Sequence, residues 1–276
     1  MLKCIDLFAG IGAWELAIEL VNPISQIKFE TIEFVEINPQ AQKVLRSHFP
    51  DIPIHPDIRN YEAIANKADV YFVSFPCTNT SAAGKKEGLT GEESSLWFEA
   101  LGCIIIGEPK FVVIEQPVGI IDRGLRAILG GLSLAGYQTE VEIISASECG
   151  APHERQRVFV IADRDNLSIR QSEQFCCWFE QVREHITIAR SFVPVRETQP
   201  GIVPLDVGDR DYLAGIRFDS WWLKTVPPQS AGLPRRTPGR REAVSLAGKS
   251  IVPLQAAIAL MRVQFLASII GDSNNE

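Results

Sequence analysis

Short apolar runs rich in β-branched residues alternate with stretches whose apolar positions return at a helical period, from the start of the chain to about residue 163. That alternation predicts an α/β unit with a mostly parallel sheet flanked by helices. Strands are expected over residues 2–8, 31–35, 70–75, 111–115, 138–145 and 157–162. Helices are expected over 14–21, 39–48, 96–107 and 125–135, the last closed by Gly136 as a left-handed cap. Between about residues 164 and 240 the rhythm is lost: prolines are scattered, Cys176 adjoins Cys177, Trp221 adjoins Trp222, and Arg235, Arg236, Arg240 and Arg241 cluster. A first domain over 1–163 and a small second lobe over 164–240 are therefore expected. Residues 241–276 are expected to return to the first domain, since Leu254, Ala257, Ile258, Met261 and Phe265 mark an apolar helix over 252–270, with 271–276 frayed.

A chain of 276 residues with 46% hydrophobic and 22% charged content can bury at least one full core. No apolar run is expected to reach the roughly 18 residues of a membrane span. The start MLKCIDLFAG lacks a basic segment ahead of a cleavable apolar one, so cytoplasmic residence is the expectation. The six cysteines (Cys4, Cys77, Cys103, Cys149, Cys176 and Cys177) show neither CxxC pairs nor regular spacing, so free thiols and no metal site are expected. A net charge of −7 excludes an evenly cationic surface but not a nucleic-acid partner, because a local basic face suffices within one Debye length.

The segment IDLFAGIGAWELAIE sets a strand against a glycine turn and a helix start, so backbone amides and a helix N-terminus face whatever binds above the strand. Gly10 and Gly12 permit the turn, but Glu15 stands where a third glycine would complete GxGxxG. A nucleotide-like ligand and a purely structural turn are both open for this segment alone. The second strand ends in FVEIN, where Glu36 can accept hydrogen bonds from a ribose diol. In HPDIRN, Asp57 can accept from an adenine amino group or be a solvated turn residue.

The run VYFVSFPCTNTSAAGKKEG leads a buried strand into Pro76 and Cys77, delivering a thiol to the sheet edge where open α/β folds keep their active sites. A cysteine after a strand is also commonly inert. The small, polar residues 78–91 have the composition of a loop able to close over a substrate. In FVVIEQPVG, Glu115 follows four apolar residues, which predicts partial burial and a raised pKa suited to a proton donor. A salt-bridged edge residue is the alternative. In APHERQRVFVIA, Arg155 and Arg157 have period-two spacing and share a face, where they can hold a carbonyl oxygen or phosphate, or pair with surface acids.

These segments resemble, in order, the motifs of the cytosine-C5 DNA methyltransferase family. DLFAGIG is similar to the first cofactor motif, FVEIN to the second and PDI to the third; FPCTNTSAAGKKEG resembles the PC motif and its loop. EQP stands where the family has ENV, HERQR where it has QxRxR, and GKSIVP resembles its closing GNSVVP. The resemblance covers residues 3 to about 163 and about 240–260, and implies a Rossmann-like, class I S-adenosyl-L-methionine-dependent methyltransferase with a small target-recognition lobe. The departures are Phe75 for the first proline of PPC, Thr80 for a loop phenylalanine, Gln116 and Pro117 in ENV, His153 for glutamine and Lys249 for asparagine.

Carried over residue by residue, the resemblance implies that Cys77 attacks carbon 6 of cytosine, Glu115 protonates ring nitrogen 3, and Arg157 holds the carbonyl with Arg155 in support. It implies cofactor contacts from Phe8, Gly10, Gly12, Glu36, Ile37, Asp57, Ile58, Pro76, Leu96 and Ser250. Double-stranded DNA would meet Ser81 and Gly84 in the loop and Arg235, Arg236, Arg240 and Arg241 in the lobe. The chemistry fits: carbon 5 is too electron-poor to take a methyl group until a thiolate adds at carbon 6, and the base must leave the duplex first. A monomer in the cytoplasm of a bacterial or phage-infected cell is expected, with a restriction endonuclease as a further partner to consider. A tRNA cytosine-C5 methyltransferase and a catalytically silent DNA-binding homologue are the alternatives.

Overall fold

The protein is seen in a computed structural model whose described residues are 1–76, 96–151, 154–164, 175–191 and 250–273. Seven strands form one sheet: β1 (Leu2–Leu7), β2 (Phe29–Val35), β3 (Ile54–His55), β4 (Val70–Val73), β5 (Phe111–Pro117), β6 (Gln138–Ser145) and β7 (Gln156–Asp163). Their order is β3-β2-β1-β4-β5-β7-β6. The pairs among β1 to β5 are parallel, whereas β7 runs antiparallel to both β5 and β6. Parallel neighbours need crossover segments, and α1 (Ala13–Val21) and α3 (Leu96–Gly107) lie in those between β1 and β2 and between β4 and β5. The remaining helices are α2 (Pro39–His48), α4 (Ile120–Arg123), α5 (Leu125–Leu134), α6 (Trp178–Ser191) and α7 (Pro253–Ser273).

The central strands read as unbroken apolar runs because both faces are covered. Cys4, Val70, Phe72, Phe111 and Val113 point to one side, into a core shared with α1, α6 and α7. Ile5, Leu7, Tyr71, Val73, Val112 and Ile114 point to the other, into a core shared with α3 and α5. Trp14 stacks on Phe72 with ring centroids 4.6 Å apart, which seats α1 on the sheet.

The expected elements are present, with shifted ends. β2 starts at Phe29, two residues early, and β5 continues to Pro117, so Glu115 lies inside the strand rather than at its tip. β4 ends at Val73. Gly136 adopts φ 90°, and the Tyr137 N–H donates to the Leu132 carbonyl, giving the expected left-handed helix cap.

Within the interval 164–240, where a small lobe is expected, α6 packs into the main core through Trp178, Val182 and Ala189. One helix stretch, Pro253–Ile270, is long and apolar enough by length and composition to cross a membrane, but 72% of it is buried inside the protein. It is a core helix, apolar all round because the sheet, α1 and α6 surround it. Its one buried cation, Arg262, is held by Glu140 of β6 through two contacts of 2.8 Å, by the Cys176 carbonyl at 2.7 Å, and by Gln181.

Candidate active site

In a parallel sheet the loops leaving the strand ends gather along one edge, and the chain reverses direction of winding between β1 and β4. The turn after β1 is shaped by Phe8 at φ 73°, Gly10 at φ 56° and Gly12 at φ 84°. The Phe8 and Ala9 amides both donate to the Val35 carbonyl, at 2.9 and 3.1 Å, so the end of β2 holds the turn in place. A side chain at φ 73° is strained by about 1–2 kcal/mol, and such strain concentrates at functional sites. A Cβ at Gly10 would meet nothing within 4 Å, so the turn's backbone is open to a ligand.

Glu36 follows β2 and is 9% exposed. The Gly10 amide donates to Oε2 at 2.7 Å and the Asn38 amide to Oε1 at 2.6 Å. The two amides thereby fix the carboxylate at the rim of the turn. Ile37 is exposed beside it, Ile58 is buried beneath, and Phe8 meets Phe75 edge-on at 6.5 Å. Asp57 is occupied locally, accepting from the Arg59 amide at 3.0 Å as the cap of a short 3-10 turn. Pro76, Leu96 and Ser250 are half-buried.

Under this turn lies an acidic group that the sequence analysis did not single out. Asp6 is fully buried, and among the described residues neither carboxylate oxygen has a hydrogen-bond partner. Burial, and then the neighbouring Glu15 and Glu36, push its pKa well above the usual carboxylate range. Burial raises Glu15 to about 7, against the hydrogen bond it accepts from Thr31 Oγ1 at 2.8 Å.

The reactive edge depends on the reversal of β7. Antiparallel pairing places Pro117 opposite Arg157 and Glu115 opposite Phe159. Glu115 and Arg157 are thus diagonal neighbours on one face, and Arg157 Nε lies 2.7 Å from Glu115 Oε1. Glu115 is 6% exposed. Burial raises its pKa, opposed by the charges of Arg157 and then Arg155, so the expected elevation and the alternative salt bridge are both present. Arg155 precedes β7 and donates from Nη2 to the Ser250 carbonyl at 2.9 Å, joining this edge to the segment ahead of α7.

Gln116, where the family pattern has asparagine, turns to the opposite face and donates to the Phe75 carbonyl at 2.9 Å. Two departures from the pattern therefore touch each other, and they pin the backbone next to Pro76 and Cys77 against β5. Cys77, Ser81, Gly84, His153, Arg235, Arg236, Arg240, Arg241 and Lys249 lie outside the described residues. Burial pushes the Cys103 thiol to about 11, Cys149 to about 12 and Cys4 well above its ordinary value, so none of these three offers a thiolate at neutral pH. Among the described residues no group of His, Cys, Asp and Glu could hold a metal ion.

Residues 2–192 match the profile of the family described as C-5 cytosine-specific DNA methylase. The chain is 30% identical over 232 residues to the Type II methyltransferase M.HgiCII of Herpetosiphon aurantiacus, covering 82% of this chain and 50% of that protein. It is 31% identical over 166 residues to the Type II methyltransferase M.HpaII of Haemophilus parainfluenzae, covering 57% and 44%. It spans about half the length of the curated relatives it matches. Its fold is similar to that of S. pombe Dnmt2 methyltransferase (TM-score 0.59, 14% identity, covering 98% of this chain and 99% of that one). It is likewise similar to that of Entamoeba histolytica EhMeth (TM-score 0.57, 14% identity, 98% and 99%). With its family profile matched over well over half of the chain and a class I methyltransferase sheet beneath the motifs, the protein belongs to the C-5 cytosine-specific DNA methylase family.

Proposed function

We propose that this protein transfers a methyl group from S-adenosyl-L-methionine to carbon 5 of a cytosine flipped out of double-stranded DNA, through a covalent adduct with Cys77. The observation that carries the reading is the juxtaposition at one sheet edge of the buried Glu115, its Arg157 partner at 2.7 Å, and the pinned Phe75 backbone that leads into Cys77.

Cys77 adds to carbon 6 as a thiolate while Glu115, whose pKa burial raises against the opposing charges of Arg157 and Arg155, gives a proton to ring nitrogen 3. Arg157 and Arg155 neutralise the charge that develops on the carbonyl oxygen. When bound, the cofactor supplies the methyl group from its sulfonium. Loss of the proton from carbon 5 then lets the carbon–sulfur bond break and frees Cys77. Phe8, Gly10 and Gly12 would hold the cofactor's adenosine at the turn, with Glu36 as acceptor for its ribose hydroxyls and Ile37, Ile58 and Asp57 as the residues for its adenine. Pro76, Leu96 and Ser250 complete the rim.

Target recognition is assigned to the segment between α6 and α7, with Arg235, Arg236, Arg240 and Arg241 on phosphates and Ser81 and Gly84 closing over the base. The kinship with Type II methyltransferases supports a place in DNA modification beside a restriction endonuclease.

The test is methyl transfer from labelled cofactor to unmethylated genomic DNA, followed by bisulfite sequencing, with tRNA as the competing substrate. A duplex carrying 5-fluorocytosine at the mapped site should trap a covalent adduct that Cys77→Ser loses. Transfer to tRNA alone would replace DNA as the substrate. No transfer to either, with DNA still bound, would make the protein a silent binding homologue.

A further inference from the structure

Gln255 stands in the first turn of α7, two residues past the GKSIVP segment, and is fully buried. Its single amide nitrogen donates to two carbonyls, Ile144 at 2.7 Å and Arg155 at 2.8 Å. Ile144 lies in β6 as the register partner of Arg157, and Arg155 stands just ahead of β7, two residues before Arg157. The same segment takes the Arg155 side chain on the Ser250 carbonyl at 2.9 Å. Arg155 is therefore held by backbone and side chain from one short stretch, residues 250–255.

We propose that Gln255 is a positioning residue for the proposed methyl transfer, a clamp by which α7 fixes the Arg155–Arg157 strand so that Arg157 stands against Glu115. The reaction asks for this. β7 is paired on both sides from Arg157 onward and with β6 alone at Gln156, and the ladder closes at Arg155, whose carbonyl also takes the Ala146 amide at 3.0 Å. A guanidinium that must meet a developing charge loses about a hundredfold in rate for a displacement of 1 Å. Two hydrogen bonds from one buried amide fix the strand end in two directions, which a single bond would not. Gln255 also explains how residues 250–255 can serve a reaction centred on β5 and β7 without touching the base.

This inference rests on the methyltransferase reading, and the experiment separates the two. Gln255→Met keeps the shape and removes the donor; Gln255→Asn keeps the donor on a shorter stem and is the milder second variant. Hydrogen exchange followed by mass spectrometry reports whether the peptide around residues 154–160 is held, without any need for activity. Single-turnover and steady-state methylation of unmethylated DNA report the reaction. The Met variant should exchange at least about tenfold faster in that peptide while β1 and β4 are unchanged. Its kcat should fall about tenfold to a hundredfold with KM for DNA within about threefold. Combined with Arg157→Ala, it should cost no more than Arg157→Ala alone, because the clamp acts by placing that guanidinium. The Asn variant should fall between.

Wild-type exchange in the peptide, an unchanged kcat, or losses that multiply in the double variant would each overturn the clamp. If the wild-type protein transfers no methyl group, the methyltransferase reading falls. The clamp is then decided by exchange alone, faster local exchange supporting it and unchanged exchange overturning it.

Discussion

Replacing Glu15 by glutamine should make the protein more stable at about pH 8 and leave it nearly unchanged at about pH 4.5. Glu15 lies in the first turn of α1, where the helix dipole favours a negative charge by about 0.3–1 kcal/mol. It is nevertheless only 5% exposed, with Oε2 unpartnered among the described residues and the Asp6 carboxyl as a neighbour. Burial wins and lifts its pKa from 4.5 to about 7. The folded-state pKa lies above the unfolded one, so below about pH 4.5 both states carry the proton and Glu15 costs nothing. As pH rises toward 7 the unfolded chain releases its proton first, and stability falls. At about 1.4 kcal/mol per tenfold change in proton affinity, the rise from 4.5 to about 7 corresponds to roughly 3 kcal/mol lost by pH 8. Glutamine keeps the oxygen that Thr31 Oγ1 donates to at 2.8 Å and offers Asp6 an N–H donor in place of a second charge. The expected gain is ~1–3 kcal/mol, or about 2–4 °C in melting temperature per kcal/mol. Urea unfolding followed through the buried Trp14, Trp97 and Trp178 at the two pH values measures it. A variant that is less stable than wild type at pH 8, or a difference that does not change with pH, would refute the reasoning.

Two further substitutions probe other parts of the structure. Arg262→Met breaks the buried pair with Glu140 and leaves that carboxylate without its cation, so unfolding free energy should fall by about 3–5 kcal/mol, and adding Glu140→Gln should recover part of the loss. A loss below about 1 kcal/mol would show that α7 is held by packing alone. Gly12→Ala sets a side chain at φ 84° with its Cβ 2.6 Å from Phe49 Cε2, so it should cost at least about 2 kcal/mol and weaken cofactor binding in a calorimetric titration. Wild-type affinity and stability together would mean that the turn adjusts freely.

Much of the reactive edge could be read from residues alone because its logic is local. FVVIEQP announces a buried strand with one carboxylate, and period two in RQR puts two guanidinium groups on one face whatever the sheet does with them. The sequence did not say that β7 runs antiparallel to β5, and only that direction brings Arg157 to the end of β5 where Glu115 sits. Gln116 could be recognised as a departure, but its partner, the Phe75 carbonyl 41 residues away, could not. Asp6 and Glu15 looked like an ordinary motif aspartate and a helix-start glutamate, since burial by distant elements leaves no local signature. Gln255 carried no signal at all, as a glutamine on an apolar helix reads as a surface position.

The helices, the strands and the order of chemical motifs are thus properties of the chain itself, set by periodicity, glycine placement and the reactive side chains available at strand ends. Tertiary structure alone decided which charges are buried, which strand turns back, and that α6 joins the core beside the apolar helix α7. The physical reason is that periodicity and turn chemistry act over a few residues. Desolvation and ion pairing depend instead on neighbours such as Glu140 and Arg262, brought together across 122 positions of sequence.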